Sequence, residues 1–234
     1  MMDRMRFSSQ LIVGIAFGIL PGAATLVAQE QPLRGTITFK YENPKLQPAA
    51  YEMTLRADGS GHFISHAGSQ PPADIANLPS QGQERDITIA PASRDRLFGT
   101  AAKEHFFATK CDSGNSKIAF QGTKTLSYEG PEGRGSCTYN YSLDPKIQWL
   151  TTELEGLAAT LEAGRRLKLE HEHGRLNLDS ELGSLTDMVK AGQATELQNI
   201  APILNEIAAD EDVMSRARRR AQVLADGSVT GSGN

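Results

Sequence analysis

Residues 136–161, SCTYNYSLDPKIQWLTTELEGLAATL, decide the fold class because the spacing of the apolar residues changes within them. Before Asp144, apolar side chains alternate along the chain, which is typical of a strand. The alternating residues are Cys137, Tyr139 and Tyr141. After Asp144 they recur every three or four residues, as on one face of a helix. The recurring residues are Ile147, Leu150, Leu154, Leu157 and Leu161. Asp144 is a favourable N-cap and Pro145 suits the first helical position, so the helix is predicted to begin there.

Upstream of this segment the chain has the alternation of half-buried antiparallel strands. One helix interrupts these strands and is predicted from Pro91 to Lys103. The Gly- and Pro-rich residues 67–83 are predicted to form a long loop. The predicted strands are residues 36–41, 51–55, 62–66, 86–90, 117–121, 124–129 and 136–141.

Downstream of Asp144 the sequence is predicted to be helical throughout. The first helix continues to about His173, Asp179 and Asp210 are predicted to cap later helices, and Pro202 interrupts another. Strands and helices in separate blocks indicate an α+β fold. We expect an antiparallel sheet of hairpins with one or two packed helices, followed by a C-terminal all-helical segment.

The predicted organisation has four parts. Residues 29–173 form the α+β domain with its long closing helix, and residues 174–225 form a C-terminal helical appendage. The Gly/Ser-rich residues 226–234 are expected to be a disordered tail. Residues 1–28 precede them as a cleavable signal peptide.

The signal peptide is predicted from a short basic start, an apolar run at residues 11–20 and the small residues that follow. Cleavage after Ala24 and cleavage after Ala28 both fit this pattern. An uncleaved anchor is the alternative, but ten apolar residues span about 15 Å as a helix, against a hydrocarbon core of about 30 Å. We therefore expect a secreted or periplasmic protein with no stable membrane insertion after cleavage.

The chain has only two cysteines, Cys111 and Cys137. In an oxidising compartment an even pair is a disulfide candidate, and it would close a loop of about 26 residues. Two separate buried thiols are the alternative. Two cysteines cannot provide a four-cysteine zinc site, and we predict no cofactor.

The charge balance excludes a protein that binds along nucleic acid. Lysine and arginine total 24 against 28 acidic residues, which gives a net charge of -4, whereas such proteins usually have a basic excess. The basic cluster at Arg216 and residues 218–220 is predicted to be a solvated helix end that complements the helix dipole. Contact with an anionic partner is the alternative.

Residues 170–173, Glu-His-Glu-His, are the first candidate for catalysis. On a strand, His171 and His173 would lie about 7 Å apart on one face and could share a metal ion. On a helix they would lie about 200° apart around the axis, and the flanking pattern is helical. A solvated helix end is therefore favoured, and the alternative is an exported hydrolase, with or without a metal ion, that uses these residues.

The function favoured by the sequence is a non-catalytic binding or scaffolding role in the periplasm or extracellular space. No serine has glycine two residues before and two residues after it, so the nucleophile elbow of the α/β-hydrolases is absent. The partner is expected to be another exported protein. Met188, Ile200 and Ile203 are candidate contact residues if they prove exposed, although the same spacing also builds a helical core.

Overall fold

Six antiparallel strands form one sheet in a computed structural model, which describes residues 34–68 and 82–227. The strand order is β4-β3-β2-β1-β5-β6. Their bounds are β1 Thr36–Glu42, β2 Ala50–Arg56, β3 Ser60–His66, β4 Glu84–Thr88, β5 Thr123–Gly130 and β6 Gly133–Tyr139. The predicted signal peptide lies outside the described residues, as do residues 69–81 of the predicted loop and all but the first two residues of the predicted tail.

Within the described residues, five α-helices accompany the sheet. Their bounds are α1 Pro91–Lys103, α2 Pro145–His173, α3 Leu178–Lys190, α4 Ala201–Ala209 and α5 Ser215–Ala225. Short 3-10 turns lie at His105–Phe107 and Leu197–Ile200. The predicted α+β class is confirmed, with an antiparallel sheet followed by helices at the C-terminal end.

Asp144 caps α2 as predicted, because its side chain accepts hydrogen bonds from the backbone N–H groups of Lys146 and Ile147. The other two predicted caps are wrong. The residue before α3 is Asn177 and the residue before α5 is Met214. The side chains of Asp179 and Asp210 instead form ion pairs with residues of other segments.

The predicted strand at residues 117–121 is also wrong, because this segment lies outside the sheet. The Asn140 side chain holds it through its two polar atoms. The Gln121 N–H donates to Asn140 Oδ1 at 2.7 Å, and Asn140 Nδ2 donates to the Ala119 carbonyl at 3.1 Å. These bonds give the backbone of the segment polar partners that a strand would have supplied.

The buried side chains form two clusters that meet within α2. The first joins the inner face of the sheet, α1 and α2 as far as Leu161. The second starts at Ala163 of α2 and continues through α3, α4 and α5. The change of core thus falls between Leu161 and Ala163, because α2 contributes apolar side chains along almost its whole length.

Cys111 and Cys137 lie at disulfide-bonding distance, and both are buried beside the first cluster. The pair connects the loop that follows α1 to β6. Among the described residues, no helix is both long enough and apolar enough to cross a membrane.

Candidate functional site

One transverse row of the sheet places polar side chains on its buried face. The backbone register aligns the five members of this row, which we name the tyrosine–lysine row, across five strands. In strand order they are Ser65, Tyr51, Tyr41, Lys124 and Tyr139. Across the same five strands the neighbouring row on this face is apolar: Phe63, Met53, Phe39, Leu126 and Cys137. Arg85 of β4 continues this row at the edge of the sheet. The inner face of the sheet therefore changes from apolar to polar side chains toward one end of its strands.

A cavity of about 470 Å³ lies between the tyrosine–lysine row and α2. Tyr41, Tyr51 and Lys124 line it from the sheet, and Thr151, Glu155 and Ala159 line it from the helix. Pockets that hold small organic ligands have volumes of about 300–1,000 Å³. The cavity is large enough for such a ligand, and its lining combines aromatic and apolar side chains with many polar ones.

Lys124 brings a positive charge into this cavity, although only 4% of the residue is exposed. Its Nζ donates to the Asn140 carbonyl at 3.1 Å and reaches the Gln121 carbonyl at 3.5 Å. The nearest Glu155 carboxylate oxygen is 3.7 Å away. Burial lowers the pKa of Lys124, and the nearby Glu155 carboxylate opposes that shift.

Glu155 provides the matching negative charge from α2. Its side chain keeps 40% of its surface exposed. Burial raises the pKa of the Glu155 carboxyl, and Lys124 opposes that shift. A cleft in which two titratable groups have perturbed pKa values is a candidate functional site on physical grounds.

The tyrosines of the row add aromatic surface and fixed hydroxyl groups. The rings of Tyr41 and Tyr51 stack with centroids 5.0 Å apart, and the Tyr41 hydroxyl donates to the Gln121 carbonyl at 3.0 Å. The Tyr139 and Thr151 hydroxyl oxygens are 2.6 Å apart. Since Thr151 donates its own hydrogen to the Ile147 carbonyl, Tyr139 is the donor of this pair. Burial raises the pKa of Tyr41, Tyr51 and Tyr139, so their hydroxyls stay protonated.

Among the described residues, two further charged residues line the cavity, and each has a partner of opposite charge on a helix. Glu162 accepts two hydrogen bonds from Arg165, at 2.6 and 2.9 Å. Arg166 donates to Glu181 of α3 at 3.0 Å. These charges are therefore largely committed to contacts within the helices.

Exposed apolar side chains occur in loops that supply residues to the cavity lining. Leu46 lines the cavity and is half exposed. Phe120 and Leu143 are more exposed still, and each directly adjoins in sequence a residue that lines the cavity. Single exposed apolar residues are ordinary, but three in loops that line one cavity mark a candidate contact surface.

The structure does not bring His171 and His173 together on a metal site. Both belong to the single helix α2, where His171 Nε2 lies 2.8 Å from Asp210 Oδ2. His173 Nδ1 donates to the Leu169 carbonyl at 3.0 Å. Within residues 34–68 and 82–227, no group of three or more His, Cys, Asp or Glu side chains is placed to hold a metal ion. Within the described residues the two histidines therefore do not form part of a metal site.

The predicted contact residues on the C-terminal helices have different surroundings. Ile200 and Ile203 are buried in the second cluster, so the condition of exposure is not met for them. Met188 is partly buried, packs against that cluster and lines one end of the cavity. The spacing of these residues is therefore that of side chains in a helical core.

Part of the basic cluster of α5 is structural. Arg216 forms an ion pair with Asp179, and Arg220 Nη1 lies 2.9 Å from the same carboxylate. Arg220 also donates to the Asp179 carbonyl at 2.6 Å. These two arginines attach α5 to the first turn of α3, and the interpretation of the whole cluster as a solvated helix end needs this correction.

Sequence reasoning missed Lys124 and Glu155, the charge pair of the cavity. The sequence does indicate burial of Lys124, because it lies on the same face of its strand as Leu126 and Tyr128. No sequence feature indicates Glu155, since a glutamate on a helix is unremarkable. No family model matches the chain, and no curated protein matches it significantly. The function must therefore be inferred from the cavity itself.

Proposed function

We propose that this chain is an exported, non-catalytic binding protein of the periplasm or extracellular space. Its ligand would be a small organic molecule held between the tyrosine–lysine row and α2. The observation that carries the proposal is the cavity of about 470 Å³ lined by stacked tyrosines and one buried cation. Mostly apolar or aromatic walls with a few placed polar groups are typical of ligand pockets.

The hydrogen bonds of the cavity favour recognition over proton transfer. Tyr41 and Lys124 donate to backbone carbonyls, and Tyr139 donates to Thr151. Groups held in this way are already oriented, so a ligand can bind them without first ordering them. Such preorganisation increases affinity because less conformational entropy is lost on binding.

Export is supported by the signal-like residues 1–28 and by the cysteine pair. Disulfides persist mainly in oxidising compartments, where a Cys111–Cys137 bridge would be stable. The test is the intact mass of the protein recovered from a bacterial host that expresses the full chain. Loss of residues 1–24 or 1–28, with two thiols alkylated only after reduction, would support export. A full-length mass with two free thiols would contradict it.

Binding is tested with 1-anilinonaphthalene-8-sulfonate, an aromatic anion that fluoresces when it leaves water. Ala159 lines the cavity, so Ala159→Leu fills space there, whereas Ala209→Leu makes the same change on an exposed position of α4. We expect one dye site, weakened about tenfold or more by Ala159→Leu and unchanged by Ala209→Leu. Equal binding by the two variants would contradict the proposed site.

A second proposed role is contact with another exported protein through the loops that line the cavity. It is favoured by the exposed side chains of Leu46, Phe120 and Leu143. Serine substitutions of Phe120 and Leu143 should abolish capture of a defined exported partner while leaving dye binding intact. Capture that survives both substitutions would exclude this surface.

A further inference from the structure

We propose that the ligand of the cavity carries one negatively charged group, such as a carboxylate, which binds Lys124 in the place that the Glu155 carboxylate takes in this structure. Glu155 then acts as an internal substitute for the ligand's anionic group. The inference rests on the proposed binding function and adds the chemical class of the ligand.

Lys124 has hydrogen-bonding capacity that its present contacts do not use well. An ammonium group has three N–H donors. One of them has a close acceptor, the Asn140 carbonyl at 3.1 Å, while the Gln121 carbonyl is at 3.5 Å and the Glu155 oxygen is at 3.7 Å. A ligand anion could approach to about 2.8 Å and form a charge-assisted hydrogen bond.

Glu155 is placed so that it can give way to a ligand. It is a long side chain at the cavity edge, 40% exposed, and its ion pair with Lys124 is longer than a hydrogen bond. Rotation toward solvent would return its carboxylate to water and leave the ligand's anion beside Lys124. The exchange replaces one carboxylate by another, so the buried charge stays balanced.

The other charged residues of the cavity are less suited to bind a ligand's anionic group. Arg166, the second cation among the described residues that line the cavity, is hydrogen-bonded to Glu181 at 3.0 Å. Glu162 is bound by Arg165 through two hydrogen bonds. An anion at Arg166 would therefore compete with a formed pair, whereas at Lys124 it replaces a loose one.

One part of the remaining wall fits an apolar ligand body. Tyr41 and Tyr51 line the cavity together with the apolar side chains of Pro48, Ala159 and Met188. An aryl or alkyl chain would cover these groups and exclude water from the Lys124 contact. The ligand class is therefore a small amphiphilic anion.

The test uses three probes that share one body and differ in charge: 4-phenylbutyrate, 4-phenylbutan-1-ol and 4-phenylbutan-1-amine. Calorimetric titration of the full-length expressed protein measures each dissociation constant. We expect the carboxylate to bind about tenfold or more tightly than the alcohol, because hydrogen bonds to charged groups are the stronger ones. Tightest binding by the amine, or equal binding by all three, would overturn the inference.

Two substitutions should change the affinity for 4-phenylbutyrate in opposite directions if the inference is right. Lys124→Met should weaken 4-phenylbutyrate binding about tenfold or more, whereas Glu155→Gln should strengthen it several-fold by removing the competing carboxylate. Lys168→Met, on an exposed position of α2, is the matched control and should change nothing. Weaker binding by Glu155→Gln contradicts the inference, and this variant decides the question if Lys124→Met fails to fold.

Failure of the inference and failure of the proposed function are distinguishable. If the protein prefers the amine or the alcohol and Ala159→Leu still blocks dye binding, the inference fails. The proposed binding function then stands, with a ligand of a different chemical class. Absence of binding by all three probes overturns the inference. If Ala159→Leu also leaves dye binding unchanged, the cavity itself is not a binding site.

Discussion

The side-chain amide of Asn199 pairs with the backbone of Thr88 in the way that a further strand would. The Thr88 N–H donates to Asn199 Oδ1 at 2.9 Å, and Asn199 Nδ2 donates to the Thr88 carbonyl at 2.8 Å. Thr88 ends β4, which is an edge strand of the sheet. Unpaired edges invite pairing with other chains, so this contact both attaches the helices to the sheet and covers part of an exposed edge.

Removing this amide should destabilise the protein. Asn199→Ala removes the side-chain partner of the Thr88 N–H and the closer donor to the Thr88 carbonyl, which keeps Gln198 Nε2 at 3.3 Å. We expect a loss of about 1–3 kcal/mol in the free energy of unfolding. Asn199→Asp should also destabilise, because it replaces the Nδ2 donor by an acceptor facing the Thr88 carbonyl. Urea unfolding measures both, with Asn205→Ala on the exposed side of α4 as the control. An Asn199→Ala variant as stable as Asn205→Ala would refute the role assigned to this amide.

Gly164 should resist substitution, although alanine normally favours a helix over glycine. A Cβ at this position of α2 would lie 2.3 Å from Ile200 Cγ2. We expect Gly164→Ala to cost about 1–3 kcal/mol, typical of overpacking. Gly99→Ala in α1 is the control, since nothing lies within 4 Å of its added Cβ, and it should stabilise by about 0.5–1 kcal/mol. Chemical denaturation compares the two, and the same sign for both changes would contradict the close contact at Ile200.

Reduction of the cysteine pair should lower stability. Cys111 and Cys137 are 26 residues apart, and closing a loop of that length stabilises by about 3.5 kcal/mol in the chain-entropy model. The free energy of unfolding should therefore fall by roughly this amount after reduction and alkylation. The double variant Cys111→Ala with Cys137→Ala should show no response to reductant. If reductant also lowers the stability of the double variant, the effect of reductant does not come from this cysteine pair.

Asp112 should make stability depend on acidic pH. Its carboxylate accepts hydrogen bonds from the N–H groups of Asn140 and Gly114, at 2.9 and 2.6 Å, and these bonds lower the pKa of Asp112 in the folded chain. A lowered folded-state pKa stabilises the protein above the unfolded-state value, and the effect is lost as the pH falls. Asp112→Asn should thus be less stable than the parent at pH 7.

The difference between Asp112→Asn and the parent should shrink as the pH falls below about 4, where the unfolded carboxyl binds its proton. Denaturation at several pH values measures this change. Asp187→Asn, on an exposed position of α3, is the control and should show little difference from the parent at pH 7. A difference in the free energy of unfolding between Asp112→Asn and the parent that stays constant down to pH 3 would contradict the prediction.

The sequence predicts the fold class because two local signals agree on it. Alternation places Phe39, Met53 and Leu126 on the buried face, and the periodic residues of α2 from Ile147 to Leu161 are buried as their spacing requires. The caps were less predictable. Asp144 caps a helix, but Asp179 and Asp210 bind distant residues, and local spacing carries no information about such long-range pairs.

The candidate site was not predictable from spacing alone. Its row joins residues separated by more than 80 positions, such as Tyr41 and Lys124, and only the strand order places them side by side. Gly164 shows the same limit. As a helix residue it weakens the pattern, yet the tertiary contact with Ile200 requires the absence of a side chain.

The sharing of α2 between the two buried clusters has a thermodynamic consequence. Glu155 and Ala159 face the cavity from the part of α2 that packs on the sheet, while Leu167 of the same helix is fully buried among α3, α4 and α5. A ligand bound only to the folded state stabilises every segment whose opening would release it. Occupancy of the cavity should therefore slow amide hydrogen exchange in α5, which has no residue in the cavity wall.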